Sequence, residues 1–239
     1  MKEQVKKGVL VRLFWSWTER EDSGEDYYKK IMKQQVIFLN GGSPKENFKD
    51  YYDMLEKLEY NPADVNFKNW NKTLGERLGE NYEYLRAPFH DRDFADYRAW
   101  KIMFEKMLPF LDQEIMKVAT SLGGSFILKY LGENDGILHP KSGKKIIIKK
   151  LFLIATAVSD TPDEIMWNFA FDLEEVYSRV ARWCEKIYIY HSTDDTIVMY
   201  EDALKIKNYF PDAIFRDFHD RGHFYLETEL PELIEDIKN

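Results

Sequence analysis

Lys117-Val118-Ala119-Thr120-Ser121-Leu122-Gly123-Gly124-Ser125 decides how this chain is read. An apolar, strand-like run enters it through Glu114-Ile115-Met116 and ends at Thr120. Phe126-Ile127-Leu128-Lys129-Tyr130-Leu131 follows and reads as a helix. A serine at a strand-to-helix turn, with a small residue two positions before it and another two positions after, is the pattern of a nucleophile elbow. The turn holds the serine in a strained backbone conformation with its hydroxyl clear of the sheet edge. Bulk two positions away on either side would strike a neighbouring strand or helix. Gly123 meets that demand, and Ala119 stands where a second glycine is usual. The plainer reading is a serine N-cap, since serine is a favoured cap. The short motif does not separate the two readings, so the rest of the chain must.

Moving outward, Val36-Ile37-Phe38-Leu39 is a continuous apolar run of the kind a buried parallel strand shows. It ends in Asn40-Gly41-Gly42-Ser43-Pro44. Tyr51, Met54, Leu55 and Leu58 predict a helix over 47–60, stopped by Asn61-Pro62. A short helix is expected over 70–78 and a strand over 82–87, closed by Pro88. Tyr97, Trp100, Met103, Phe104 and Met107 mark an amphipathic helix over 94–111 whose aromatic stripe belongs to the core. Three further strands are centred on 151–155, 186–191 and 213–218, with helices over 201–210 and from Leu230-Pro231-Glu232 onward. Strands thus alternate with helices along the chain. The fold class is α/β: a mostly parallel central sheet of about six strands with helices on both faces, in one domain over 32–239. Ligands of such sheets sit outside the carboxyl ends of the strands.

Three loops at those ends carry the groups of acyl transfer, in the chain order serine, acid, histidine. The loop after the fifth strand is Ser192-Thr193-Asp194-Asp195-Thr196-Ile197-Val198, and the loop after the sixth is Asp220-Arg221-Gly222-His223-Phe224. A serine hydroxyl is a weak nucleophile without an adjacent base, and the base needs an acid to fix its tautomer. Ser121, His223 and Asp195 supply these roles. Asp195 is preferred to Asp194 because it precedes a turn and an apolar anchor; the plain reading of either is a turn aspartate. His219 lies nearer the strand and reads as structural, and His90 reads as loop decoration. His219 and His223 do not suggest a metal pair, because Gly222 spoils the helical face such a pair needs. For the oxyanion hole, a backbone N–H near Gly41 or Gly42 would join that of Leu122. A phosphate-binding glycine loop is disfavoured, since neither the Rossmann spacing nor Gly-Lys-Ser/Thr is present.

Ala119-Thr120-Ser121-Leu122-Gly123-Gly124, Asp194-Asp195-Thr196-Ile197-Val198 and Arg221-Gly222-His223-Phe224 resemble the α/β-hydrolase superfamily. More closely, they resemble the small serine hydrolases similar to retinoblastoma-binding protein 9. The resemblance runs from about Val36 to the C-terminus. It implies a compact sheet lacking the first two strands of larger relatives, with Ser121, Asp195 and His223 as triad, and names no firm substrate. Ala119-Thr120 replaces the family's Gly-His before the serine, and Asn40-Gly41 replaces its His-Gly after the first strand. These departures bear on pocket shape and oxyanion geometry rather than on the triad. The Leu-x-Cys-x-Glu sequence of pocket-protein binding is absent.

Composition bounds the rest. The 239 residues are 44% hydrophobic and 15% aromatic, enough for a full core and an apolar pocket. A net charge of -8 argues against a nucleic-acid surface and against docking on anionic membranes. Cys184, the single cysteine, reads as a packing residue in a reducing compartment. No apolar stretch is long enough for a membrane helix, and Arg12 breaks the run 8–15, which also lacks a cleavage site; a cytoplasmic location is expected. Residues 1–31, with the charge run 19–26, are expected to be a peripheral, poorly ordered extension, and Met32 is a candidate translational start.

The function expected is that of a serine hydrolase acting on a small ester, thioester or amide. It needs no cofactor or metal, its partner is a small-molecule acyl substrate, and no protein partner is named. The acidic, aromatic segment 159–183 is expected to form a partial lid, with Asn40, Trp167 and Phe169 as substrate contacts. A binding or scaffold protein that keeps the fold with little turnover is the competing expectation. A flavodoxin-like nucleotide binder would hold ligand near Gly41-Gly42 and ignore the loss of His223.

Overall fold

A computed structural model of the chain describes residues 33–59, 67–161, 163 and 166–239. The segment 1–31, with the expectation of a peripheral extension, lies outside the described residues. Six strands form the central sheet: β1 (Gln34–Leu39), β2 (Tyr82–Arg86), β3 (Glu114–Thr120), β4 (Ile147–Ile154), β5 (Cys184–Ser192) and β6 (Ile214–Phe218). Their order is β2-β1-β3-β4-β5-β6, and every pairing is parallel. Among the described residues, seven helices accompany them: α1 (Phe48–Lys57), α2 (Trp70–Leu78), α3 (Tyr97–Met107), α4 (Leu122–Asn134), α5 (Leu173–Trp183), α6 (Tyr200–Tyr209) and α7 (Pro231–Lys238).

The central strands are apolar on both faces because both faces are covered. On one side Ile37, Leu39, Ile115, Ala119, Leu151 and Leu153 join Trp100 and Phe104 of α3, Phe126 and Leu131 of α4, and Val176 and Val180 of α5. On the other, Val36, Phe38, Val118, Phe152 and Ile154 meet Trp70 and Leu74 of α2 and Leu233 and Ile237 of α7. The chain leaves β1 toward β2 at one edge and returns to β3 on the opposite flank of β1. The carboxyl ends of β1 and β3 are therefore a switch point, where the outgoing loops part and leave a crevice. Leu39 and Ala119 are partners in register there, so the glycine loop and the elbow emerge side by side.

Several boundaries differ from the sequence expectation. Helix α3 starts at Tyr97 because Asp96 caps it through the N–H of Ala99, and Arg92–Phe94 forms a separate 3-10 turn. It stops at Met107, where Pro109 leads a second such turn, Leu108–Phe110. Strand β5 begins at Cys184, directly after Trp183 of α5. The lid is corrected as well. Helix α5 buries Leu173, Val176, Val180 and Trp183, a stripe at helical spacing, so the second half of segment 159–183 is scaffold packed on the core.

Three buried charged groups are unusual in this core. Asp236 of α7 accepts Arg216 Nε at 2.9 Å and Nη2 at 2.6 Å, and also the hydroxyl of Tyr190. Lys150 Nζ caps the same helix, donating to the carbonyls of Asp236 at 2.9 Å and Ile237 at 3.1 Å. Lys117, in contrast, is fully buried with no hydrogen bond to Nζ, which lies 4.3 Å over the ring of Phe104.

Candidate active site

Ser121 has φ 50° and ψ −126°, a conformation that L residues adopt only when the surroundings impose it. Its N–H donates to Ile154 O at 2.8 Å, so the strand ladder continues through the turn. The demand for a small residue at Gly123 is steric: a Cβ there would lie 2.6 Å from Leu39 O and 2.7 Å from Asn40 O. Gly124 is pressed as closely, with a Cβ falling 2.0 Å from Thr156 Oγ1. Ser125 Oγ then ties α4 to Ala157 O at 2.7 Å. On the other flank, Ala119 is fully buried in the sheet, which takes its methyl group without a break in pairing.

Gly41 lies against the serine itself, and a Cβ at Gly41 would stand 2.9 Å from Ser121 Cβ and 3.4 Å from Oγ. Its carbonyl accepts Asn40 Nδ2 at 3.0 Å and Arg92 Nε at 2.9 Å. Its N–H donates to Thr120 Oγ1 at 3.1 Å. That bond corrects one expectation, because the Gly41 N–H is occupied. Among the described residues, the N–H groups of Gly42 and Leu122 make no hydrogen bond. Leu122 is the first residue of α4 and the Ser121 side chain does not cap it, so its N–H is one of the free donors of a helix N-terminus.

His223 stands on the loop after β6, between Gly222 at φ 49° and Phe224 at φ 59°. The loop is pinned from three directions. Ser192 Oγ accepts Arg221 N–H at 3.1 Å, Asp194 Oδ1 accepts Gly222 N–H at 3.0 Å, and Trp70 Nε1 donates to Phe224 O at 2.9 Å. Ser192 Oγ also donates to Asp194 Oδ1 at 2.5 Å. His223 Nδ1 is then 2.7 Å from Asp195 Oδ2. Asp195 Oδ1 takes the N–H groups of Ile197 at 2.8 Å and Val198 at 3.1 Å.

Burial alone would raise the Asp195 pKa, but the bonds from His223, Ile197 and Val198 outweigh it and hold the carboxyl below its usual range. An ionised Asp195 can only accept, so Nδ1 of His223 carries the proton and Nε2 is left with a lone pair. Behind the acid, His191 Nε2 lies 3.0 Å from Val198 O and 3.7 Å from Asp195 Oδ2. Burial pulls the His191 pKa down and keeps it neutral there.

Ser121, His223, Gly41, Gly42 and Leu122 border one cleft of about 430 Å³, with apolar wall from Trp70, Ile197, Val198 and Phe224. Among the described residues, Ser121 Oγ makes no hydrogen bond.

The three residues named as substrate contacts stand elsewhere. Asn40 is buried and braces the Gly41 carbonyl from behind. Trp167 borders a second cavity of about 700 Å³ that adjoins the cleft, sharing Pro44 and Lys45 with it. Phe169 is fully buried, with its ring 5.7 Å from that of Tyr97 and 5.1 Å from that of Trp100. Both aromatics had stood out by composition, and Phe169 follows the core instead. His219 Nδ1 bonds Thr193 Oγ1 at 3.0 Å, a structural place, and His90 does not border the cleft. Burial pushes the Cys184 thiol up to about 12, which leaves it inert. Arg92, Thr120 and His191 were not picked out as site residues from sequence, and Asp194 was weighed only as the alternative acid. Each acquires its place through a tertiary contact that no local pattern announces.

No family model and no curated protein matches the chain. Solved structures do. The ydeN gene product of B. subtilis superposes with a TM-score of 0.64 at 16% identity, covering 86% of this chain and 97% of that one. The 2-hydroxy-6-oxo-6-phenylhexa-2,4-dienoate hydrolase of a Rhodococcus species gives 0.53 at 14% identity, over 87% and 91%. A lipase-esterase related protein of Clostridium acetobutylicum gives 0.50 at 12% identity, over 86% and 93%. This is the α/β-hydrolase fold. In that fold the loops after β1 and β3 face each other across the crevice, as Gly41 and Ser121 do here. Among the described residues, no helix is long and apolar enough to cross a membrane.

Proposed function

We propose that the protein is a serine hydrolase that cleaves a small ester, thioester or amide through an acyl-enzyme on Ser121. The single observation that carries this reading is the 2.7 Å bond between His223 Nδ1 and Asp195 Oδ2, in the cleft that the strained Ser121 borders. His223 Nε2 takes the proton of Ser121 Oγ as that oxygen attacks the carbonyl carbon. The oxyanion is received by the N–H groups of Gly42 and Leu122. The intermediate collapses, the leaving group departs with the proton from His223, and the acyl group stays on Ser121. Water repeats the sequence, releasing the acid and restoring the hydroxyl.

The names of two fold neighbours, a lipase-esterase related protein and a hydrolase, agree with this class of chemistry. A cytoplasmic setting fits the lone, buried Cys184. The second reading is a binding protein with little turnover, favoured by the capture of the Gly41 N–H by Thr120. Steady-state hydrolysis of short-chain para-nitrophenyl esters and thioesters separates the two. The enzyme reading expects saturable turnover that Ser121→Ala abolishes. Turnover equal in wild type and variant would contradict it.

A further inference from the structure

The cleft beside Ser121 is basic in an acidic protein. The chain carries a net charge of -8, yet the charged side chains bordering the cleft, besides His223, are Arg92, Lys45 and Asp93. Arg92 is held there by design of the backbone. Ser43 N–H donates to Arg92 O at 2.6 Å, and Ala95 N–H to Ser43 O at 3.1 Å, zipping the loop after β2 onto the loop after β1. Its side chain turns inward, and Nε donates to Gly41 O at 2.9 Å. That bond fixes the guanidinium plane. The two terminal nitrogens make no hydrogen bond and no ion pair, although Asp93 is the next residue. Nearby protein lowers the Arg92 pKa and Asp93 raises it, but the residue as a whole is exposed and its guanidinium stays protonated.

The planar fork of an exposed guanidinium matches a carboxylate through two parallel bonds. Gly41 links it to the chemistry, because the residue whose carbonyl it holds packs on Ser121 Cβ and Oγ. Two cations against one carboxylate leave one net positive charge in the wall, which suits a monoanion better than a phosphate dianion.

We propose that the substrate of Ser121 carries a carboxylate close to its scissile carbonyl, gripped by the terminal nitrogens of Arg92, as in a half-ester or half-thioester of a short dicarboxylic acid. This rests on Ser121 being the nucleophile. The test uses the full chain with para-nitrophenyl hemiglutarate and the neutral para-nitrophenyl pentanoate. Wild type should favour the hemiglutarate by about 10- to 100-fold in kcat/KM. Arg92→Gln should bring that ratio close to one, and Arg92→Lys should hold an intermediate ratio, since it keeps the charge without the fork. The ratio is the readout because loss of the bond to Gly41 O lowers both rates.

Titration calorimetry with glutarate and with inorganic phosphate reads binding without turnover. Glutarate should bind wild type, bind Arg92→Gln at least about tenfold more weakly, and outcompete phosphate. A wild-type ratio near one, a ratio unchanged in Arg92→Gln, or tighter binding of phosphate would overturn the proposal. If neither ester turns over, glutarate binding that Arg92→Gln does not weaken overturns it. Failure of a fluorophosphonate to label Ser121 would instead sink the hydrolase reading. A labelled enzyme that cleaves the neutral ester as readily sinks only this inference.

Discussion

Asp194 Oδ1 accepts the N–H of Gly222 at 3.0 Å, so the acid beside the triad candidate holds the loop that carries His223. The two adjacent aspartates thus divide the work, since Asp195 contacts the imidazole and Asp194 contacts its backbone support. Asp195→Asn should lower kcat/KM by about 10³–10⁴, because the amide favours the wrong histidine tautomer. Asp194→Ala should cost far less, about tenfold, through a looser loop. Steady-state kinetics on one ester decides between them. Equal losses would mean that the roles are shared.

Gly41→Ala is expected to disable the site without unfolding the chain. The added methyl would meet Ser121 Cβ at 2.9 Å and Thr120 O at 3.2 Å, so the loop or the serine must move. A displaced Gly42 N–H should reduce kcat by about 10² or more, the usual cost of losing an oxyanion donor. Thermal denaturation should show a shift of only a few degrees. Full activity in Gly41→Ala would argue against an oxyanion site at this loop.

Lys117 should destabilise the protein in a pH-dependent way. Burial brings its pKa down to about 7 from the model-peptide value of 10.5. Between those two values the unfolded chain binds more protons than the folded one, so stability contributed through this group rises with pH across that window. At and below neutral pH the full cost of burying the charge is present. Lys117→Met should therefore be more stable by about 2–4 kcal/mol at pH 7. The gain should shrink toward pH 10, as urea denaturation at the two pH values will show. A gain independent of pH would contradict the assignment.

Helix α7 depends on Asp236. Burial alone would raise its pKa, but Arg216 and Tyr190 outweigh burial and hold it low. The stability it contributes is present above the ordinary carboxylate pKa and is lost as pH falls through the lower folded value. Asp236→Ala leaves Arg216 and Tyr190 without their shared acceptor and should cost about 3–5 kcal/mol by chemical denaturation. A loss under about 1 kcal/mol would show that apolar packing alone docks the helix.

The fold was legible because its signal is periodic. Runs such as Val36–Leu39 and Leu151–Ala155 read as buried strands; the first lies in β1, and the second lies in β4 up to Ile154, where the strand ends. The loops after β3, β5 and β6 could be named as sites because parallel sheets present their carboxyl ends together; Ser121 and His223 border one cleft, and Asp195 contacts His223 from behind it. Segment 159–183 misled because its aromatic and acidic content drew more weight than the spacing of Leu173, Val176, Val180 and Trp183. Arg92 was invisible for a different reason. Its meaning lies in a bond to Gly41 O, from a residue far off in sequence, and no pattern in Phe89-His90-Asp91-Arg92-Asp93 encodes that.

The central claim is that His223, steadied by Asp195, makes the hydroxyl of Ser121 reactive. Intact-protein and peptide mass spectrometry after exposure to a fluorophosphonate tests it most directly. One adduct on Ser121 in wild type, none in Ser121→Ala and strongly slowed labelling in His223→Ala is the predicted result. An unlabelled wild type, or an adduct that survives both substitutions, would contradict it.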